Sequence, residues 1–141
     1  MARVVRYYRE DGELELENYL VNGKEYGQQI SYWNSNNISE VRPYVNGKEN
    51  GIITSYFDTN ELCYVGGCYN GPNVGEHIEY FENGNVCCKI QYNHGKINGE
   101  YKHYYDDGTI QSIETYVDGI ITGCIEYDEE GIVINESDYG D

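Results

Sequence analysis

Residues 104–123 read YYDDGTIQSIETYVDGIITG. Two short runs rich in Tyr and Ile are separated by the tripeptide DDG at 106–108 and followed by VDG at 117–119. Glycine supplies the positive φ angles that tight turns require, whereas Tyr, Ile and Val favour extended strands. This stretch therefore predicts a β-hairpin, and the rest of the chain repeats it.

The hairpin pattern recurs with a period of 24 residues. Two glycine series follow this period, one at 23, 47, 71, 95 and 119 and the other at 27, 51, 75, 99 and 123. Asn, His or Asp precedes each glycine of the first series, and Asn and Asp tolerate a left-handed backbone. A tyrosine series at 8, 32, 56, 80 and 104 continues at 127 after a one-residue deletion. We predict one domain over residues 1–141, with repeats 4–27, 28–51, 52–75, 76–99, 100–123 and 124–141.

Composition agrees with an all-β fold. The 141 residues include 17 Tyr and 17 Gly but 1 Met and 2 Pro, and good helix formers are scarce. We expect 11 or 12 strands in an elongated, single-layer antiparallel β-meander that is twisted and curved. Single hairpins are marginal in water, so each repeat should depend on its neighbours.

The repeats resemble a known family. The segments YFENGNV (80–86) with YNHGKINGE (92–100), and YYDDGTI (104–110) with YVDGIITG (116–123), are similar to MORN repeat variants. The resemblance runs from about Val4 to Tyr139 and implies a hairpin sheet that serves as an interaction scaffold. It also points to the antitoxin-like, YwqK-type proteins built from such repeats. Asn36 and Asn60 depart from the pattern, because other repeats have glycine there, and predict less regular second and third repeats.

The net charge of −16 is unevenly distributed. From Tyr104 to the end there are eleven carboxylates and no Lys or Arg. Such a surface repels nucleic-acid phosphates and anionic lipids, so we expect neither to bind directly. A basic protein is the electrostatically suitable partner. The chain has no apolar stretch of signal-peptide or membrane-span length, which predicts a soluble cytoplasmic protein.

Two aromatic series should lie on opposite faces of the sheet. Successive residues of a strand alternate between faces, so the residue after each tyrosine of the series should point away from it. These following residues include Trp33, Phe57, Phe81 and Tyr105, which we interpret as a candidate binding row. The alternative is that both series are structural, with the tyrosines packing on Leu14, Ile38, Leu62, Val86 and Ile110.

Acidic residues cluster at the predicted turns. The candidate steering surface comprises Asp106, Asp107, Asp128, Glu129 and Glu130. Charges of this kind accelerate the association of a basic partner. The alternative is that they only keep a β-rich chain soluble and discourage strand pairing between molecules.

Metal binding and catalysis are not expected. Cys63 and Cys87 occupy equivalent repeat positions, but Cys87 and Cys88 are consecutive and should point to opposite faces. No C-x-x-C pair occurs, and the five cysteines read as reduced, buried small hydrophobes. His77, His94 and His103 fall at three different repeat positions, and no catalytic motif is present. We therefore predict no metal, no cofactor and no enzymatic activity.

The leading hypothesis is a non-catalytic, protein-binding repeat module. In its concrete form it is an antitoxin or immunity protein that occludes a basic partner such as a toxin or nucleic-acid-binding effector. A phage- or virus-type anti-defence inhibitor of a nuclease, for example an anti-CRISPR that mimics nucleic acid, is one alternative. The other is a structural scaffold that self-associates through its open sheet edges.

Overall fold

The computed structural model describes residues 1–140, which form 14 strands and no helix. Asp141, the last residue of the predicted domain and of its sixth repeat, lies outside the described residues. No helix within residues 1–140 is long and apolar enough to cross a membrane. The chain divides into two compact units, residues 1–72 (unit 1) and the remainder from Asn73 (unit 2).

Unit 1 contains eight strands, of which two are only two residues long. They are β1 (Ala2–Tyr8), β2 (Leu14–Val21), β3 (Lys24–Glu25), β4 (Gly27–Asn34), β5 (Asn37–Val45), β6 (Lys48–Glu49), β7 (Gly51–Tyr56) and β8 (Leu62–Cys68). The long strands pair antiparallel in chain order, from β1 with β2 to β7 with β8, while β3 and β6 extend the pairing of β2 and β5.

Unit 2 contains six strands, and each pairs antiparallel with the next. They are β9 (Asn73–Tyr80), β10 (Val86–Asn93), β11 (Lys96–Tyr104), β12 (Ile110–Val117), β13 (Ile120–Tyr127) and β14 (Val133–Asp138). The predicted all-β class and antiparallel meander are confirmed in both units.

The first glycine series lies in two-residue turns with the mirror-image geometry typical of hairpins. Both turn residues have positive φ, for example 52° at Asn22 with 81° at Gly23, and 47° at His94 with 83° at Gly95. This is the signature of a type I′ turn, whose twist matches that of the flanking strands. The interpretation of His94 as a turn residue is confirmed.

The other turns follow the tyrosine series and have three-residue loops. At Phe81, the backbone N–H donates to the Asn85 carbonyl at 2.8 Å, and the Gly84 N–H donates back to Phe81 at 2.9 Å. Gly84 has φ 91° and Asn60 takes the same role at 73°, whereas Asn36 is not among the positive-φ residues. The second repeat instead closes with a two-residue turn at 35–36, so the expected irregularity occurs at Asn36 but not at Asn60.

Neighbouring type I′ turns are joined by backbone hydrogen bonds. The Gly47 N–H donates to the Glu25 carbonyl in unit 1, and the Gly119 N–H donates to the Ile97 carbonyl in unit 2, both at 2.8 Å. The bonded residues are 22 apart in each case, so the contact repeats with the sequence. Each repeat therefore satisfies a backbone donor of the next.

The most buried side chains lie on one face of each unit. They are Ile53, Cys68 and Asn18 in unit 1, and His77, Cys88 and Ile90 in unit 2. His77 pairs with Ile90, which in turn pairs with Tyr101, and cross-strand partners share a face. We call this the packed face. The tyrosine series and its partners are instead half-buried, apart from the exposed Tyr8, and their interpretation as structural residues stays a prediction; the partners are Leu14, Ile38, Leu62, Val86 and Ile110.

Candidate protein-binding surface

The predicted aromatic row lies at the ends of strands. Trp33 is in β4, whereas Phe57, Phe81 and Tyr105 each begin a three-residue turn. Trp33 is 49% exposed and the other three are half-buried. Trp33 is therefore the most accessible member of the row.

The polar tips of the row contact the backbone of the next repeat. Trp33 Nε1 donates to the Tyr56 carbonyl at 2.9 Å in unit 1, and the Tyr105 hydroxyl donates to the Tyr127 carbonyl at 2.8 Å in unit 2. Arg9, which has the same repeat position but is not aromatic, donates to the Tyr32 carbonyl at 2.7 Å. These side chains therefore link neighbouring repeats.

The acidic turn residues also have structural roles. Asp107 Oδ1 accepts hydrogen bonds from the Thr109 hydroxyl at 2.6 Å and from its N–H at 2.9 Å, and these bonds lower the pKa of Asp107. Asp128 Oδ1 accepts from the N–H groups of Glu130 and Ile132. The Asp106, Asp107, Glu129 and Glu130 side chains are exposed, while Asp128 is half-buried.

A cleft of about 490 Å³ lies beside Trp33 in unit 1. Its lining residues are Tyr7, Arg9, Glu15, Leu16, Ser31, Tyr32, Trp33 and Ser39. Its charged residues are one arginine and one glutamate, and the Arg9 guanidinium donates hydrogen bonds to the Tyr32 and Trp33 carbonyls.

A second cleft, of about 340 Å³, lies beside Tyr105 in unit 2, and we call it the acidic cleft. Its lining residues are His103, Tyr105, Gln111, Ser112, Glu114, Glu126, Tyr127 and Ile134. Most of these positions correspond to those that line the first cleft, with His103 matching Tyr7 and Tyr105 matching Arg9. The repeat thus builds the same recess in both units and lines it with different chemistry.

Two carboxylates give the acidic cleft its character. Glu114 Oε2 accepts a hydrogen bond from the Tyr116 hydroxyl at 2.7 Å, which together with burial raises the pKa of Tyr116 to about 12. Glu126 Oε2 accepts from Asn135 Nδ2 at 2.9 Å. His103 Nε2 is 3.7 Å from Glu114 Oε1 and neutralises it only when protonated.

Sequence reasoning missed Glu114 and Glu126. A signal was present for Glu114, because the same position in the earlier repeats is Asn18, Arg42, Gly66 or Ile90 and never a carboxylate. The position of Glu126 was obscured by the one-residue deletion before Tyr127.

The cysteine arrangement corrects one expectation. The pairing of β10 with β9 shifts between Val86 and Cys88, so Cys87 lies in a β-bulge. The Cys87 and Cys88 sulfurs and a Glu79 carboxylate oxygen all lie within 4.8 Å of one another, and the prediction of opposite faces is wrong. Burial raises the pKa of both thiols, to about 12 for Cys88, so neither is an activated nucleophile.

Comparison with known families agrees with the repeat architecture. Residues 73–94 and 97–118 each match the family described as MORN repeat variant. Both segments lie in unit 2, and no curated protein matches the chain. The YwqK type remains a prediction. With these two adjacent matches in a meander of hairpins, residues 73–118 of the chain contain two MORN repeat variants.

Proposed function

We propose that the chain is a non-catalytic, acidic repeat module that binds a basic protein through the acidic cleft. The observation that carries the proposal is the pairing of Glu114 and Glu126 with two tyrosines, Tyr105 and Tyr127, in one recess. Carboxylates accept charge-assisted hydrogen bonds from Arg or Lys, and tyrosine faces attract cations. The recess therefore suits the basic side chain of a partner.

The charge distribution of unit 2 supports this direction. From Asn73 onward the sequence has 15 Asp or Glu and three Lys. Lys89 and Lys102 pair with each other across β10 and β11, on the face opposite the His77–Ile90–Tyr101 series. Because neither of these two lysines lies on the packed face, the carboxylates of that face would attract a basic partner.

The exposed carboxylates at the turns are close in sequence to the tyrosines of this recess and would act as the steering surface. Asp106 and Asp107 follow Tyr105, while Glu129 and Glu130 follow Tyr127. Trp33 in unit 1 would serve as an aromatic anchor, because large exposed aromatic side chains are common hot spots.

The proposed mechanism is occlusion, in which the bound module covers the basic surface of its partner. An antitoxin or immunity protein in the cytoplasm is its leading form, and an anti-defence inhibitor of a nuclease is the alternative with the same chemistry.

The experiment is a capture of partners from the source lysate at low and high salt. The full chain should retain a basic protein at low salt and release it at high salt. The Glu114→Gln, Glu126→Gln double variant should weaken binding of that protein by about 10-fold or more. Loss of one partner of a desolvated charge pair makes the complex dissociate faster. The matched control is Glu10→Gln with Glu61→Gln, which removes the same charge from exposed turns of unit 1.

Two results would contradict the proposal. One is a captured partner that is not basic or is insensitive to salt. The other is equal weakening by the cleft variant and the control, which would mean that only net charge matters.

Trp33→Ala with Phe81→Ala tests the aromatic row separately. Unchanged affinity with a folded chain would mean that the row is not part of the interface.

A self-associating scaffold is the second candidate, and the terminal strands favour it. Within residues 1–140, β1 pairs with β2 alone and β14 with β13 alone, so each leaves one hydrogen-bonding edge open. Ile132 and Ile134 at β14 are 63% and 64% exposed. Open edges with apolar side chains promote pairing between copies. A salt-insensitive dimer or filament in solution mass measurements would favour the scaffold, and a monomer would exclude it.

A further inference from the structure

The cluster of Glu79, Cys87 and Cys88 lies in unit 2 outside the acidic cleft. One ligand atom from each residue lies within 4.8 Å of the other two, and the Cys88 thiol donates to Glu79 Oε2 at 3.3 Å. We propose that these three residues form a binding site for Zn²⁺. This proposal is independent of the proposed function.

The bulge at Val86 and Cys88 makes the cluster possible. In a regular strand two consecutive side chains point to opposite faces, and two adjacent cysteines cannot serve one ion. Here Cys87 is the extra residue of the bulge, and its thiol lies close to the Cys88 thiol and to the carboxylate of Glu79. Glu79 is the residue that pairs with Cys88 across β9 and β10. Bulges often re-aim a side chain next to a functional site.

The donor set matches zinc better than other common cations. Thiolates select zinc and other soft or borderline ions, whereas calcium and magnesium require several oxygen ligands. Tetrahedral zinc with bonds of about 2.3 Å to sulfur places two sulfurs about 3.8 Å apart. The three ligand atoms already lie within 4.8 Å of one another, so the ion would draw the exposed Glu79 and the half-buried Cys87 toward the buried Cys88. Three protein ligands leave the fourth position for water.

One side of the cluster is exposed to solvent and the other is buried against the packed face. Glu79 is exposed and Cys87 half-buried, so an ion can approach from solvent. Cys88 is 3% exposed, and its neighbours His77 and Ile90 are 1% and 8% exposed. This packing limits the mobility of the Cys88 ligand and reduces the entropy lost on binding.

The repeat provides an internal comparison. The positions of Glu79, Cys87 and Cys88 are occupied one repeat earlier by Ser55, Cys63 and Tyr64, and one repeat later by His103, Gln111 and Ser112. Each of those repeats forms its hairpin with another set of side chains. The fold therefore does not require a carboxylate and two thiols at these positions, and their coincidence in one repeat points to a ligand.

The test uses the full chain, reduced and freed of metal, with Zn²⁺ and Co²⁺ as probes. We expect one ion per chain and, with Co²⁺, the absorption bands of thiolate coordination that Zn²⁺ displaces. Glu79→Gln, Cys87→Ser and Cys88→Ser should each lower Zn²⁺ affinity by more than about 10-fold, because even outer-shell changes cost about 10–100-fold. The matched control is Cys63→Ser, at the position of Cys87 one repeat earlier, and it should bind as the parent does.

Several outcomes would overturn the proposal. They are no Co²⁺ thiolate bands in the parent chain, bands that survive in the Cys87→Ser variant, or an equal loss in the Cys63→Ser control. Circular dichroism reports whether each variant folds. If the Cys88→Ser variant does not fold, the variants at the exposed Glu79 and the half-buried Cys87 decide whether the cluster binds Zn²⁺.

Discussion

The packed faces of the two units differ in how their charged side chains are paired. In unit 1, Arg42 bonds to Glu40 and Glu49, each at 2.8 Å, and these contacts raise the pKa of Arg42 further above its ordinary value. In unit 2, the repeat position of Arg42 is occupied by Ile90 and, in the following repeat, by Glu114, which lines one cleft with Glu126. The same hairpin scaffold thus pairs an arginine with two carboxylates in one unit and places two carboxylates in one cleft in the other.

The units also differ at their most buried position. Ile53 in unit 1 is 3% exposed, and His77 at the same repeat position in unit 2 is 1% exposed. The His77 ring packs against Tyr92 with centroids 4.6 Å apart. The scaffold therefore tolerates either an aliphatic or an aromatic polar side chain at its centre, provided that the neighbours fit.

The largest expected effect comes from the packed face itself. Ile53→Ala should lower the free energy of unfolding by about 2–4 kcal/mol, since it leaves a cavity on the buried side. Ile52→Ala is the matched control, because Ile52 is the adjacent strand residue and is 60% exposed; it should cost less than about 1 kcal/mol. Urea unfolding measures both. Equal losses would mean that neither face is preferentially packed.

Removal of the unit 1 cation should have the next largest effect. Arg42→Met leaves Glu40 and Glu49 together without a counter-charge, and because these side chains are 27–29% exposed the cost should be about 1–2 kcal/mol. Adding Glu40→Gln and Glu49→Gln should recover most of that loss in urea unfolding. If the Arg42→Met variant is as stable as the parent chain, the internal ion pairs do not distinguish the units.

A smaller effect separates the two unusual turn asparagines of unit 1. Asn60 has φ 73°, so Asn60→Ala should cost about 1 kcal/mol in unfolding free energy. Asn36→Ala should change it by less than about 0.5 kcal/mol, because Asn36 is exposed and outside the positive-φ set. A larger loss at Asn36 than at Asn60 would contradict the assigned turn geometry.

The smallest effect is a pH dependence shared by one turn in each unit. Hydrogen bonds from Ser35 lower the pKa of Glu13 below its ordinary 4.5, and those from Thr109 lower the pKa of Asp107 below 3.8. A carboxyl with a lowered folded-state pKa contributes stability above its ordinary pKa and loses it as pH falls through the lowered one. Both stabilising contributions should therefore fade below those values in acid urea titrations.

Variants identify the source of that pH dependence. Glu13→Gln and Asp107→Asn should each flatten the stability profile in that acidic range, because the replacement amide does not titrate. A profile that keeps its full acidic slope in both variants would assign the dependence to other carboxylates.

The hairpins and their turns were predictable from sequence because glycine and asparagine mark positive φ directly. The 24-residue columns therefore located both turn types, apart from the shortened turn at Asn36. The choice of packed face was not predictable in this way. Both faces carry aromatic and aliphatic residues, and alternation sorts residues into two sets without saying which set is buried.

The candidate sites depended on features that local patterns do not encode. The bulge at Val86 and Cys88 is defined by the pairing of β9 with β10, so the clustering of Cys87 with Glu79 could not be read from Cys-Cys alone. The aromatic row was visible as a column, but its hydrogen bonds to the next repeat depend on how turns stack. The acidic cleft likewise requires side chains from two repeats.

The hydrogen bonds between successive type I′ turns have a consequence for how such a chain can evolve. The donors at Gly47 and Gly119 reach acceptors 22 residues earlier, so duplication or loss of one whole repeat would re-create the same bond at the new junction. Changes of other lengths need a local adjustment. The last hairpin has one residue fewer, and Gly123, unlike Gly99, takes no positive φ. Duplication of a repeat can therefore lengthen this protein in whole 24-residue steps, while the side chains of each copy remain free to change.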